Sequence, residues 1–167
     1  PLVIFNNGHT VEVEHEEGSS LAVGVDEWEV LQFHFHAASE HTVDAENERM
    51  EMHIVHRGAD GELAVLGAFI EEGMFNLGLE PVFANLPRDE GEPTLVAGQT
   101  VNLSAILPMD LSAWRYNGSL TTPPCSEGVR WHVLKTPIQA SASQIALFET
   151  VFDNNFRPTQ AFNDRML

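Results

Sequence analysis

The chain has 167 residues, 43% of them apolar, which suits one domain with a substantial core and is too short to argue for two. Its 25 acidic residues against 8 basic ones give a net charge of −17, which repels phosphate backbones and anionic lipid surfaces and so argues against nucleic-acid and membrane partners. No apolar run reaches the length of a membrane span, and the single cysteine, Cys125, has no internal partner for a disulfide.

The chain opens at Pro1 inside an alternating apolar run, so the expectation is one domain over residues 1–167 whose N-terminal portion is missing. Leu2–Phe5, then Asn6-Asn7-Gly8-His9, then Thr10–Glu14 reads as strand, tight turn, strand, because Asn-Gly tolerates the positive φ of a turn. Glu29–His36, Glu51–His56 and Leu63–Ile70 are further strand-like runs bounded by Gly, Asp or Asn. Leu79, Val82, Phe83 and Leu86 recur at helical spacing, which predicts a helix over Gly78–Arg88 with Pro81 in its first turn. A second helix is predicted over Ser141–Phe148, capped by Ser141 or Ser143, ahead of an irregular tail from Asp153. Strands dominate, so the fold class is mainly β with some helix.

Strand side chains alternate faces, so in Gln32-Phe33-His34-Phe35-His36 the polar residues share one face and the phenylalanines the other. Two imidazoles two residues apart on one strand can share a cation. Glu51-Met52-His53-Ile54-Val55-His56 repeats the alternation and offers His53 as a third ligand, with His56 on the opposite face in a structural role. Three neutral histidines leave a fourth tetrahedral position for water, the open arrangement of a catalytic zinc site. Gln32 and Glu51, each two residues before a histidine and on its face, can accept the ligand's free ring N–H. The spacing His34-x-His36-x3-Glu40 also fits a cupin, in which Glu40 would itself ligate iron or manganese, although Trp28 stands where a cupin wants glycine.

Tyr116-Asn117-Gly118-Ser119-Leu120-Thr121-Thr122-Pro123-Pro124, taken with Gln32–His36 and Ser39-Glu40-His41-Thr42-Val43-Asp44, resembles the α-carbonic anhydrase family, bacterial type. The similarity runs from Asn6-Asn7-Gly8-His9 to Arg157-Pro158. The resemblance implies a large, twisted, mostly antiparallel sheet with short peripheral helices. It implies zinc (Zn2+) on His34, His36 and His53, and reversible hydration of carbon dioxide to bicarbonate through a zinc hydroxide, with weak esterase activity beside it. Thr121, donating to Glu40, orients that nucleophile, and His9 relays the proton outward, with Asn7 and Thr122 ordering water. Val55, Val65, Leu120, Val129 and Trp131 form the apolar wall for carbon dioxide, and His41 and Tyr116 brace Glu51. The resemblance further implies a cis Pro123–Pro124 bond, a Cys125 left without its usual N-terminal partner, and a periplasmic or secreted location. It leaves room for a homodimer.

Overall fold

The alternation in the early strands builds one side of a ten-stranded sheet. In the computed structural model, which describes residues 1–166, the elements run β1 (Leu2–Asn6), β2 (Val11–Glu14), β3 (Ser20–Val23), β4 (Asp26–His36), β5 (Thr42–Val43), β6 (Glu46–Asn47), β7 (Met50–Arg57) and β8 (Leu63–Glu72). They continue with α1 (Glu80–Phe83), β9 (Thr94–Val96), α2 (Leu103–Ile106), β10 (Ala113–Ser119), β11 (Glu127–Leu134), β12 (Ile138–Ala140) and α3 (Ala142–Glu149). Strand order is β10-β11-β8-β7-β4-β2-β1-β9, with β3 on β4 and β12 on β8, while β5 and β6 form a separate pair. Pairing is antiparallel except where β11 and β12 meet β8. The mainly β fold expected from the sequence is therefore the fold observed.

Register decides what each face carries. His34 lies directly opposite His53, and Gln32 opposite Val55, so β4 and β7 present these residues on the same side. Phe33, Phe35, Ile54, Leu66 and Ile70 point the other way into the main core. There the Phe35 ring meets Phe83 of α1 at 5.6 Å and Phe148 of α3 at 5.8 Å between centroids. Burying a phenylalanine is worth about 2–3 kcal/mol, so the helices hold flat the strand that carries the histidines.

Helix α1 is shorter than the predicted Gly78–Arg88 span, covering only Glu80–Phe83. Asn85 closes the turn through its side chain onto the Pro81 carbonyl, and Leu86 precedes Pro87, a position that disfavours helical backbone. Helix α3 begins where expected, with Ser141 and Gln144 forming a capping box. Strand β4 starts three residues before the predicted Glu29, at Asp26. The Pro123–Pro124 bond is cis. Among the described residues no helix is long and apolar enough to cross a membrane.

Candidate metal centre

His34, His36 and His53 each bring a ring nitrogen to within 4.8 Å of the other two. Their ring centroids lie 5.1 Å (His34–His36), 5.3 Å (His34–His53) and 4.7 Å (His36–His53) apart. In each ring the remaining nitrogen faces an acceptor, which fixes the tautomer. His34 donates Nδ1–H to Gln32 Oε1 at 2.8 Å, His36 donates Nδ1–H to the Asn155 carbonyl at 2.9 Å, and His53 donates Nε2–H to Glu51 Oε1 at 2.9 Å. The lone pairs left over are His34 Nε2, His36 Nε2 and His53 Nδ1. His36 Nε2 is buried and has no hydrogen-bond partner among the described residues. A buried polar atom left unpaired costs about 1–3 kcal/mol, and a cation shared with two neighbouring imidazoles removes that cost.

Burial, reinforced by the neighbouring histidines, holds the His34 pKa well below its ordinary value. The same two causes, led by burial, bring His36 to about 4. Both rings are therefore neutral at pH 7, the form that ligates.

Behind His53 the polar groups are all paired. Burial works against charge on Glu51, but His41 and His53 outweigh it and keep the carboxyl well below the usual range. Its Oε2 accepts the backbone N–H groups of Glu40 and His41, each at 2.9 Å, and Oε1 also accepts from His41 Nδ1 at 2.6 Å. Tyr116, whose pKa burial pushes up, stands with its hydroxyl 2.7 Å from His41 Nε2. Gly67, opposite His53 on β8, makes room for this group: a Cβ there would lie 2.9 Å from Glu51 Oε1.

Beside the histidines, Val55, Val65, Val129 and Trp131 form a small buried apolar cluster with Leu120 packed against it. Thr121 and Glu40 line a cavity of about 480 Å3 with His41, Tyr116 and Arg157. No hydrogen bond joins Thr121 to Glu40 among the described residues: Glu40 Oε1 accepts the Arg157 backbone N–H at 2.7 Å, and Oε2 is buried without a partner. His9 is exposed in the turn after β1, where Asn7 Oδ1 accepts the backbone N–H groups of His9 and Thr10. Thr122 is half-buried, and its carbonyl accepts the Cys125 N–H. Cys125 is a half-buried free thiol. His56, on the core face of β7, is buried, and burial brings its pKa to about 4.

Asn155 and Arg157 escape the sequence reading. They act on His36 and Glu40 across sequence separations of 119 and 117 residues, through backbone atoms that carry no residue signature. Arg157 is marked only as the end of the family match, with no role attached, and Asn155 only by lying two residues before it in an otherwise irregular tail.

A family model described as eukaryotic-type carbonic anhydrase matches residues 1–167. A carbonic anhydrase of Nostoc sp. is 45% identical over 166 residues, covering 99% of this chain and 63% of the relative, so the chain spans less than two thirds of that protein's length. A carbonic anhydrase of Klebsiella pneumoniae is 41% identical over 171 residues, covering all of this chain and 69% of the relative. Among solved structures, the α-carbonic anhydrase of Thermovibrio ammonificans in complex with the inhibitor sulfanilamide superposes with a TM-score of 0.93 at 40% identity, over 98% of this chain and 72% of that one. With a family model matched over its whole length and close agreement in sequence and backbone with these relatives, the chain belongs to the α-carbonic anhydrase family.

Proposed function

We propose that this chain is the zinc-dependent catalytic domain of an enzyme that interconverts carbon dioxide and bicarbonate plus a proton, with slow ester hydrolysis as a side activity. The carrying observation is the convergence of three imidazoles whose outward nitrogens are all engaged, leaving His36 Nε2 buried and unpaired. His34, His36 and His53 would hold the ion. Bound zinc brings the pKa of a coordinated water to about 7, a magnitude for which carbonic anhydrase is itself the standard example.

The protein supplies the rest. The cluster of Val55, Val65, Val129, Trp131 and Leu120 gives a neutral, apolar gas a dry wall next to the histidines. Thr121 and Glu40 line one cavity, and the unpartnered Glu40 Oε2 would accept the threonine hydroxyl hydrogen, after which that hydroxyl can accept but no longer donate a hydrogen bond. His9, exposed at the turn, relays a proton to bulk buffer, with Asn7 and Thr122 ordering the intervening water. The family resemblance supports a periplasmic or secreted location, which cell fractionation tests.

Stopped-flow measurement of carbon dioxide hydration at pH 7 tests the reading. Zinc-loaded chain should accelerate the reaction and metal-free chain should not. Folded, zinc-loaded protein no faster than buffer would refute it. His53→Ala should lose both bound zinc and rate.

A further inference from the structure

We propose that the Asn155 side chain is a positioning residue that ties the His9 turn to the strand carrying His34 and His36, so that proton release and metal binding share one rigid frame. The inference rests on the function proposed above and concerns a residue that touches neither metal nor substrate.

Asn155 makes five hydrogen bonds in this region. Its Nδ2 donates to the His9 carbonyl and to the Phe35 carbonyl, each at 3.0 Å. Its Oδ1 accepts the Ala37 N–H at 2.8 Å. Its backbone N–H donates to the Ala37 carbonyl at 3.0 Å, and its own carbonyl receives His36 Nδ1–H at 2.9 Å. His36 is thus fixed on three sides: by its ring, by the peptide before it and by the peptide after it.

The second amide hydrogen goes elsewhere, to the exposed turn. That turn is ordered internally by Asn7 and fastened to β4 by Thr10, whose hydroxyl donates to the Phe35 carbonyl at 2.5 Å. Phe35 O therefore receives both Thr10 and Asn155, and Asn155 alone continues from it to His9. His9 O is at the surface and could bond water at no loss of hydrogen bonding. A protein donor there trades freedom of the turn for a fixed place of the imidazole relative to β4, and an error of about 1 Å in placing a reacting group can cost a hundredfold in rate.

Asn155→Ala removes both side-chain functions. Asn155→Asp keeps the size and the acceptor for Ala37 N–H but removes both donated bonds, which covers the case in which the alanine variant does not fold. With zinc-loaded protein, kcat should fall about fivefold in dilute non-penetrating buffer and return to within about twofold of the parent in concentrated imidazole, while kcat/KM falls less than kcat. The His9→Ala, Asn155→Ala double variant should be no slower than His9→Ala alone. In metal-free protein, amide hydrogen exchange across residues 7–10 should speed up in both variants while Leu2–Asn6 stays protected.

Unchanged exchange at residues 7–10, a deficit that imidazole does not restore, or additive losses in the double variant would each overturn the proposal. If His9→Ala is as fast as the parent in dilute buffer, His9 has no relay role and the inference falls with it while the zinc chemistry stands. If the zinc-loaded parent is inactive, the proposed function itself fails, and the exchange measurement alone still decides whether Asn155 holds the turn.

Discussion

Glu51 Oε1 stands 2.9 Å from His53 Nε2, and neither side chain reaches solvent. Four N–H groups point into that carboxylate, and no donor of its own is needed. Glu51→Gln keeps the shape but turns one acceptor into a donor, so at least one buried N–H is left facing an NH2. Expected outcomes are a loss of about 2–4 kcal/mol in denaturant unfolding and a drop of about 10–100-fold in zinc affinity by chelator competition.

Gly67 tests the same group from outside. Gly67→Ala would place its Cβ 2.9 Å from Glu51 Oε1 and 3.7 Å from Trp131 Cζ3, forcing the carboxylate off His53. Zinc affinity should fall about tenfold. Gly91→Ala, where an added Cβ meets nothing within 4 Å, should change stability by less than about 0.5 kcal/mol.

Acid should unfold the metal-free protein in a defined window. His36 and His56 titrate near 4 when folded and near the ordinary 6.5 when unfolded, with burial as the leading cause for both, and His34 is lowered as well. Between these values the unfolded chain binds more protons, so the contribution of these histidines falls as pH drops from 6.5 toward 4, by up to about 1.4 kcal/mol per pH unit for each. His41 works the other way: burial is outweighed there by Glu51, which raises the pKa, so its stabilisation is lost as pH rises above 6.5. Glu51, with its folded pKa depressed, adds a further loss as pH falls below 4.5. Denaturant midpoints from about pH 8 to about pH 4 check the slope. A flat profile would show that the rings are not buried neutral.

Thr121→Ala removes the hydroxyl that lines the cavity with Glu40 and leaves the histidine cluster intact. Carbon dioxide hydration should fall about a hundredfold in kcat/KM with zinc content unchanged. Loss of zinc together with rate would assign Thr121 a structural role instead.

The histidine platform is legible because period-two alternation in Gln32–His36 and Glu51–Val55 fixes which side chains share a face, and the β4–β7 register then sets His34 against His53. Gln32 and Glu51 follow from the same rule. The alternation does not reveal β10 and β11, where Arg115, Asn117, Gly118 and Gly128 interrupt the apolar pattern and pairing across the sheet supplies the stability. Nor does it find Asn155, whose partners lie far off in sequence, on β4 and in the His9 turn, and are mostly backbone atoms. The Gly78–Arg88 helix is overestimated because spacing counts apolar residues and overlooks the restriction that Pro87 places on Leu86.

Two groups compete for a cation: His34, His36 and His53, or His41, Glu51 and His53. Anomalous diffraction at the zinc edge from zinc-soaked crystals separates them directly. One zinc bound by three imidazole nitrogens from His34, His36 and His53 is the predicted result. Zinc seated on the Glu51 carboxylate, or on Glu40, would contradict it.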